Sequence, residues 1–583
     1  MAFQLSPGVV TTEIDLTTVI PVISTTAGGF VGDFLWGPAN TVVTINSENT
    51  LASVFGKPTN DNYLSFMTAA SFLAYGNNLK VVRAINASSK NATSNGGGVL
   101  IQNDDVWFNN YRSSTTTNTA WGNTTAEIGF AAKHAGTLGN SIKVAFLHAG
   151  NTSLFTNWAY QSFFDSAPGT SDYAETRGST NDEIHIVVVD AKGDIASSGT
   201  PAGTNAAGAV LETFPYVSVA ADAKNSDGSS NFYVDVLASK SNWVRWLAHP
   251  ANTTNWGTTA TNGVTFSGIN GFSAALANGT TLTGGAYTAA TDANKQIGWD
   301  LFKSETVDVS LLVTGDASAT VGAYVIDNVA ELRKDCVAFL SPASANVVNN
   351  PGGEVTAIKT QKNTNINRST SYAVFDSAWK YMFDKYNNTY RWIPLNADIA
   401  GLCVRTDSTR DPWFSPAGLN RGQVKNSIKL SWNPTKTDRD ELYKAGINPV
   451  VSFPGEGTVL FGDKTMLSKP SAFDRINVRR LFIVLEKAIA TAAKYSLFEF
   501  NDEFTRSQFV SLVEPFLREV QGRRGIFDYR VVCDETNNTA EIIDRNEFVG
   551  DIYIKPARSI NFIQLNFVAV RSGVAFDEIV GRF

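Results

Sequence analysis

Cysteine is nearly absent from this 583-residue sequence, which has three, Cys336, Cys403 and Cys533, far apart and in no CxxC pair. A disulfide framework and a zinc–thiolate site are both disfavoured by that count, and buried free thiols are the expectation. Histidine is almost as scarce: His134, His148, His185 and His249 fall at no HxxxH or HExxH spacing. The usual metal and general-base sites are therefore thinly supplied, and neither a metal nor a cofactor is expected. Charged residues make up 17% of the chain, and the formal net charge is −7 with a pI near 5.4. A general nucleic-acid binder shows a basic patch or a high pI, so no nucleic-acid partner is expected. No apolar run reaches about 18 residues, which predicts no membrane span.

What is present is a globular apolar fraction, 43%, and enough length for several domains with large cores. The segment "SPGVVTTEIDLTTVIPVIST" (6–25) alternates with period two. Val10, Ile14, Leu16 and Ile20 fall on one face and Thr11, Glu13, Asp15 and Thr17 on the other, the pattern of a strand with one buried side. Its acids and the want of a basic leading segment argue against a signal peptide. A strand at a chain end needs a partner, because an unpaired edge invites aggregation.

Residues 26–86 read as compact α/β structure: a strand in "GGFVGDF", a helix in "YLSFMTAASFLAYG" ended by Gly76, and a strand in "LKVVRAI". At Asn86 the texture changes to Ser, Thr, Asn and Gly, with strand-like runs such as "EIHIVVVDA" and recurring Trp, Phe and Tyr. That composition predicts a β-rich outer insertion over 87–288. From about 292 the α/β order returns, with "VDVSLLVTG", a helix and "CVAFLSP" forming a βαβ unit. "SYAVFDSAWKYMFDKYNNTYRWIPL" reads as strands joined through a turn at Asn387-Asn388. The segments 26–86 and 289–470 are expected to form one interrupted α/β domain. A final domain, 471–583, holds a helix that is apolar almost all round ("NVRRLFIVLEKAIATAAKYS") and a second one opening with a Thr505-x-x-Gln508 capping box and closing at Gly522. Strands follow, the last of which places Ile563, Leu565 and Phe567 on one face.

The search for chemistry finds no enzyme. "GTVLFGDKT" (457–465) imitates a phosphate loop, but Asp463 stands where that loop needs lysine, "TVLF" reads as a strand, and Pro470 follows closely. A turn is the expectation. Asp398, Asp407 and Asp411 near Arg405 and Arg410 are read as a salt-bridged surface rather than a hydrolase pair. Arg479 and Arg480, at the start of a helix, need an acidic partner either in the fold or in another subunit.

Several stretches together resemble the contractile-tail sheath family of T-even-like myoviruses: "FDRINVRRLF", "VVCDETNNTAEIIDRNEFVGDIYIKPARSINFIQLNFVA", "WIPLNADIAGLCVRTD", "WFSPAGLNRGQ", "LFGDKT", and, near the start, "LSPGV", "GFVGDFLWGPAN" and "FLAYGNNLKVVRAIN". The likeness covers about 1–86 and 289–583 and is weak over 87–288, where this version looks reduced. The resemblance implies a mixed α+β / α/β multidomain fold: an interrupted core domain, a β-rich surface insertion, and a C-terminal helix-plus-sheet domain completed by the terminal arms of neighbouring subunits. It implies arms at 1–25 and about 558–583 that add Val10, Ile14, Leu16, Ile20, Ile563, Leu565 and Phe567 to a neighbour's sheet built from 526–534 and 547–555. Implied partners are further copies in stacked hexameric rings, an inner tail tube protein, and baseplate and tail terminator proteins, in a virion assembled in the host cytoplasm. Contraction would be a rigid-body rearrangement that drives the tube through the host envelope, and the tube-facing charges would be Glu514, Arg518, Glu519, Arg523 and Arg524. Rival expectations are the sheath of a bacterial contractile injection apparatus, a surface-lattice protein, and a tail-borne glycan hydrolase.

Overall fold

Two glycines at the start of "GGFVGD" let a helix and a ring approach the sheet closely. A Cβ on Gly28 would meet the Phe72 ring at 2.6 Å, and one on Gly29 would meet the Phe302 ring at 3.0 Å. This segment is β1 (Gly28–Asp33), followed by β2 (Val42–Ile45), the helix Tyr63–Leu73 and β3 (Leu79–Ala84). The computed structural model describes residues 24–112, 129–195, 207–249, 255–266, 277–561 and 563–564. It divides into two units, Met1–Leu497 and Phe498–Phe583.

In the first unit the chain leaves β3 for the insertion, which carries β4 (Gly129–Ala132), β5 (Ile142–His148), β6 (Glu183–Asp190), β7 (Ala209–Ser218), β8 (Val244–Ala248) and β9 (Thr280–Thr281). It then returns through β10 (Leu311–Val313), β11 (Val337–Leu340) and β12 (Ala373–Phe375). The central sheet has the order β12-β11-β10-β1-β3-β2, parallel throughout except for the edge strand β2. Strands from both sides of the insertion thus share one sheet. Its two faces are both covered, as a parallel sheet requires. Phe30, Val81, Leu311, Val313 and Phe339 pack on one side with the helices Tyr63–Leu73 and Asn396–Thr409. Val31, Val82, Leu312, Ala338 and Phe375 pack on the other, with Trp299 and Phe302.

The insertion has a core of its own. β7-β6-β5-β9 form an antiparallel sheet and β4 pairs with β8, around Trp107, Phe146, Tyr233, Trp246 and Trp256. Its root is tied to the parallel sheet by Arg83, a buried side chain at the end of β3. That guanidinium donates to the carbonyls of Phe34 (2.8 Å), Gly37 (2.8 Å) and Ala135 (2.7 Å). On the return path the Tyr287 hydroxyl donates to Asp33 at 2.8 Å.

Beyond the sheet, β13 (Trp379–Asp384) and β14 (Thr389–Pro394) form the expected hairpin, with Asn388 in the left-handed region at φ 49°, and β15 (Lys429–Leu430) pairs with β13. β16 (Val450–Phe453) and β17 (Gly457–Leu460) make a second hairpin. The phosphate-loop lookalike is therefore a strand and a turn: Asp463 is buried 3.3 Å from Arg475, and Lys464 donates to the Tyr443 carbonyl. The helix Ile476–Ala493 closes this unit. It is buried on every side from Ile476 to Leu481, as its apolar sequence predicts, and farther along meets water at Glu486 and Ala490.

The acids read as a surface cluster point inward instead. Asp398 is buried with Lys380 Nζ 2.9 and 2.8 Å from its two oxygens. Asp407 is buried against Arg480, whose two terminal nitrogens donate at 2.8 and 2.6 Å. Arg480 thus finds its acid within the chain, while Arg479 lies over the rings of Tyr372 (4.3 Å) and Phe473 (4.1 Å). All three cysteines are buried and free.

In the second unit, the helix Glu503–Gly522 packs on β18 (Ile526–Val532), which pairs with β19 (Asp551–Pro556). The expected capping box is displaced by one turn. Asp502 is the cap, accepting from Thr505 N at 2.8 Å, and Thr505 is buried inside the helix. An ionised carboxylate one turn earlier is the stronger acceptor for the free N–H groups of the first turn.

Candidate assembly surfaces

The C-terminal edge of a parallel sheet is the usual place for a ligand crevice. Here it is filled by a self-satisfied polar network. Thr314 donates to the Phe339 carbonyl at 2.9 Å, Asn396 exchanges bonds with Gly315 at 2.7 and 3.1 Å, and Asn396 N donates to Ser341 Oγ. Ser341 donates in turn to Asp376, whose carboxyl burial pushes well above the ordinary carboxylate range. Each polar group binds another part of the chain. Among the described residues, no three His, Cys, Asp or Glu side chains are grouped to hold a metal ion, and no helix is long and apolar enough to cross a membrane.

The C-terminal unit is the opposite case, with groups left over. Only Thr505, Arg506, Phe509, Val513, Leu517 and Val520 of its long helix are buried, and β18 and β19 add little more than Ile526. A two-stranded sheet on one helix is marginal by itself, and each outer edge is a template of unpaired N–H and C=O groups. Among the described residues neither edge is paired with another strand. Phe527 and Tyr553 on these strands are exposed, as are Phe498, Phe500 and Phe504 at the start of the long helix and Ile560 after β19.

Of the residues assigned to inter-subunit strands, Val10, Ile14, Leu16, Ile20, Leu565 and Phe567 lie outside the described residues. Ile563 is described and is 78% exposed, in no strand. The start of the described chain is anchored in the first unit: the Thr25 hydroxyl donates to Asp407 at 2.6 Å, on the carboxylate that Arg480 holds, and Ser310 donates to the Ser24 carbonyl. Of the charges assigned to a tube, Arg518, Glu519, Arg523 and Arg524 are exposed and Glu514 is half-buried. Arg523 pairs with Glu519 at 3.2 Å, one helical turn away. A bond to Tyr529 raises Arg518 further above its already high value. Sequence reasoning missed the aromatic outer face of the β13–β14 hairpin, although the alternation of Tyr381 and Phe383 with Lys380, Met382 and Asp384 was there to be read.

A parallel-sheet core with its ligand edge filled by its own polar groups, joined in one chain to a unit whose described strands have open edges, has the layout of a structural building block. Comparison with known proteins gives the family. Residues 26–84 match the tail sheath protein Gp18 domain III N-terminal region, 280–466 the phage tail sheath protein central domain, and 468–569 the phage tail sheath C-terminal domain. The tail sheath protein of Vibrio phage KVP40 is 35% identical over 99% of this chain and 100% of its own length. That of Enterobacteria phage T4 is 34% identical over 99% of each. Both alignments, 679 and 675 positions, are longer than this chain, so those relatives carry residues that it lacks. Among solved structures, a sheath tail protein of Listeria innocua shares the fold, with a TM-score of 0.52 at 13% identity over 92% of each chain. The chain belongs to the phage tail sheath protein family, whose members are structural proteins and not enzymes.

Proposed function

We propose that this chain is the repeating subunit of a contractile phage tail sheath, a virion component that polymerises as stacked hexameric rings around an inner tail tube. The observation that carries this reading is the two-stranded sheet of β18 and β19, open at both edges among the described residues, beside exposed Phe527 and Tyr553. Arms at 1–25 and about 558–583 of neighbouring copies complete it, with Val10, Ile14, Leu16, Ile20, Ile563, Leu565 and Phe567 alternating into the neighbour. Backbone hydrogen bonds then give strength and the alternate side chains give register. Such a contact joins two different patches, the type that builds open helical polymers. The Thr25–Asp407–Arg480 anchor sets where the first arm leaves the core domain.

On this reading the chain divides into the arm 1–25, a core domain of 26–86 and 289–470, an outer insertion 87–288 and an inner domain 471–583. Subunits assembled in the host cytoplasm engage the tube, the baseplate and the tail terminator. Contraction is a rigid-body rearrangement from a kinetically trapped extended lattice, with the exchanged strands as hinges, and it drives the tube through the host envelope. Glu514, Arg518, Glu519, Arg523 and Arg524 supply the tube-facing charges, as exposed ion pairs weak enough to break.

Electron microscopy of the purified full-length chain beside a variant lacking residues 1–24 tests the proposal. Long tubes from the full-length chain and none from the variant are expected. Identical compact monomers from both would overturn strand exchange.

A further inference from the structure

The outward face of a hairpin that meets water is ordinarily polar. On the β13–β14 hairpin it is aromatic: Tyr381, Phe383, Tyr390 and Trp392 form a continuous ladder. Tyr381 stacks on Tyr390 with centroids 5.6 Å apart and lies 4.7 Å from Trp392, and Phe383 is 5.2 Å from Tyr390. Phe383 is 44% exposed and Tyr390 51%. At Phe383 the ladder borders a groove of about 520 Å³ whose lining mixes apolar side chains, Met67, Met382 and Ile428, with polar ones, Glu48, Ser71 and Asn426. The rim is basic. Lys429 lies over Tyr381 at 5.0 Å and over Trp392 at 5.6 Å, and Lys385 stands at the groove, paired with Glu48 at 3.1 Å. A contiguous apolar patch of this kind marks a binding surface.

One exposed segment of the same chain is its chemical complement. "FEFNDEF" (498–504) carries three phenylalanines and three acids, Glu499, Asp502 and Glu503, with no lysine or arginine. Phe498, Phe500 and Phe504 are 105%, 84% and 76% exposed. We propose that the aromatic ladder receives the 498–504 segment of a second copy, the phenylalanine rings seating on Tyr381, Phe383 and Tyr390 and the acids facing Lys429 and Lys385. Opposite charges fix the register, and the aromatic rings supply the area. The contact is heterologous and so propagates from copy to copy. It rests on the sheath reading but is separate from the exchanged arms.

Because the native cysteines are all buried, engineered thiols report this contact cleanly. A Tyr390→Cys chain and a Phe500→Cys chain of different mass are mixed, assembled and oxidised, then separated without reductant. A mixed-mass disulfide dimer that appears with polymerisation is the expected result. Polymer without that dimer overturns the contact and leaves the sheath reading standing. So does Tyr390→Cys linking only to itself, or a link that forms only within a Tyr390→Cys/Phe500→Cys double variant. Wild-type chain that never polymerises overturns the sheath reading itself. As a second readout, Tyr390→Ser and Phe500→Ser should each slow assembly at least tenfold with the circular dichroism spectrum unchanged; assembly at the wild-type rate overturns the contact.

Discussion

Lys380 and Asp398 show how a single residue can be required without making the fold more stable than an apolar pair would. The ammonium lies 2.8 Å from the nearer carboxylate oxygen with both side chains out of water, and the Tyr75 hydroxyl donates to the same carboxylate at 3.1 Å. Burial pushes the Asp398 carboxyl upward, while the Lys380 charge and the two hydrogen bonds pull it back. Removing one partner leaves the other charge buried alone, which costs about 3–5 kcal/mol; replacing both is far milder. Lys380→Met is therefore expected to lower the urea midpoint of the first unit strongly, and Lys380→Met with Asp398→Asn to recover more than half of the loss. Equal losses in the single and double variants would show that packing of the lysine stem, not the stranded charge, sets the cost.

The insertion carries every histidine of the chain, and all are held below the ordinary histidine range by burial. His148 and His249 are each pushed down to about 4. His249 bonds the Tyr233 hydroxyl at 2.7 Å, and His148 lies 5.1 Å from the Trp256 ring. An unfolded histidine titrates near 6.5, so between about pH 6.5 and 4 the unfolded chain binds protons that the folded insertion refuses. Stability therefore falls as pH falls through that window, by about 2–3 kcal/mol for each of the two by pH 4.5. Tryptophan fluorescence melts at pH 7.5 and 4.5 check this: the wild type should lose more than a His148→Phe/His249→Phe variant, and parallel losses would reject the assignment. At this scale the sequence was most informative where one element decides its own form. The glycine-rich first strand, the βαβ unit, the Asn387-Asn388 hairpin and the failed phosphate loop all follow local rules of period, turn and spacing. What was hidden depends on distant partners. Nothing near Asp398 or Asp407 says that Lys380 and Arg480 will enclose them. Thr505 loses the cap to Asp502 because the helix starts one turn earlier, where the carboxylate accepts from Thr505 N itself. The pairing of β1 with β10 joins residues on either side of the insertion, a register that only the closed sheet defines.

Across whole molecules, two kinds of contact with opposite responses to salt are expected in one assembly. The proposed strand addition would join copies through backbone hydrogen bonds and apolar side chains, which salt does not screen. The proposed contacts with the tube would use the exposed charges of Arg518, Glu519, Arg523 and Arg524, each pair contributing roughly 0–1 kcal/mol. At about 0.15 M ionic strength the screening length is near 8 Å, and at 1 M it is about 3 Å. Raising salt from 0.05 to 1 M, on the order of a twentyfold change spanning both regimes, should release the sheath from purified tail tubes in a sedimentation assay while sheath polymers formed without the tube persist. Arg518→Glu with Arg523→Glu should abolish tube binding at low salt and leave those polymers intact. Tube binding that survives 1 M salt would place the adhesion in apolar contacts, and polymers that dissolve in salt would take strand addition out of the lattice. The proposed contraction would require this separation, because a contact that breaks on contraction cannot be the one that transmits the force.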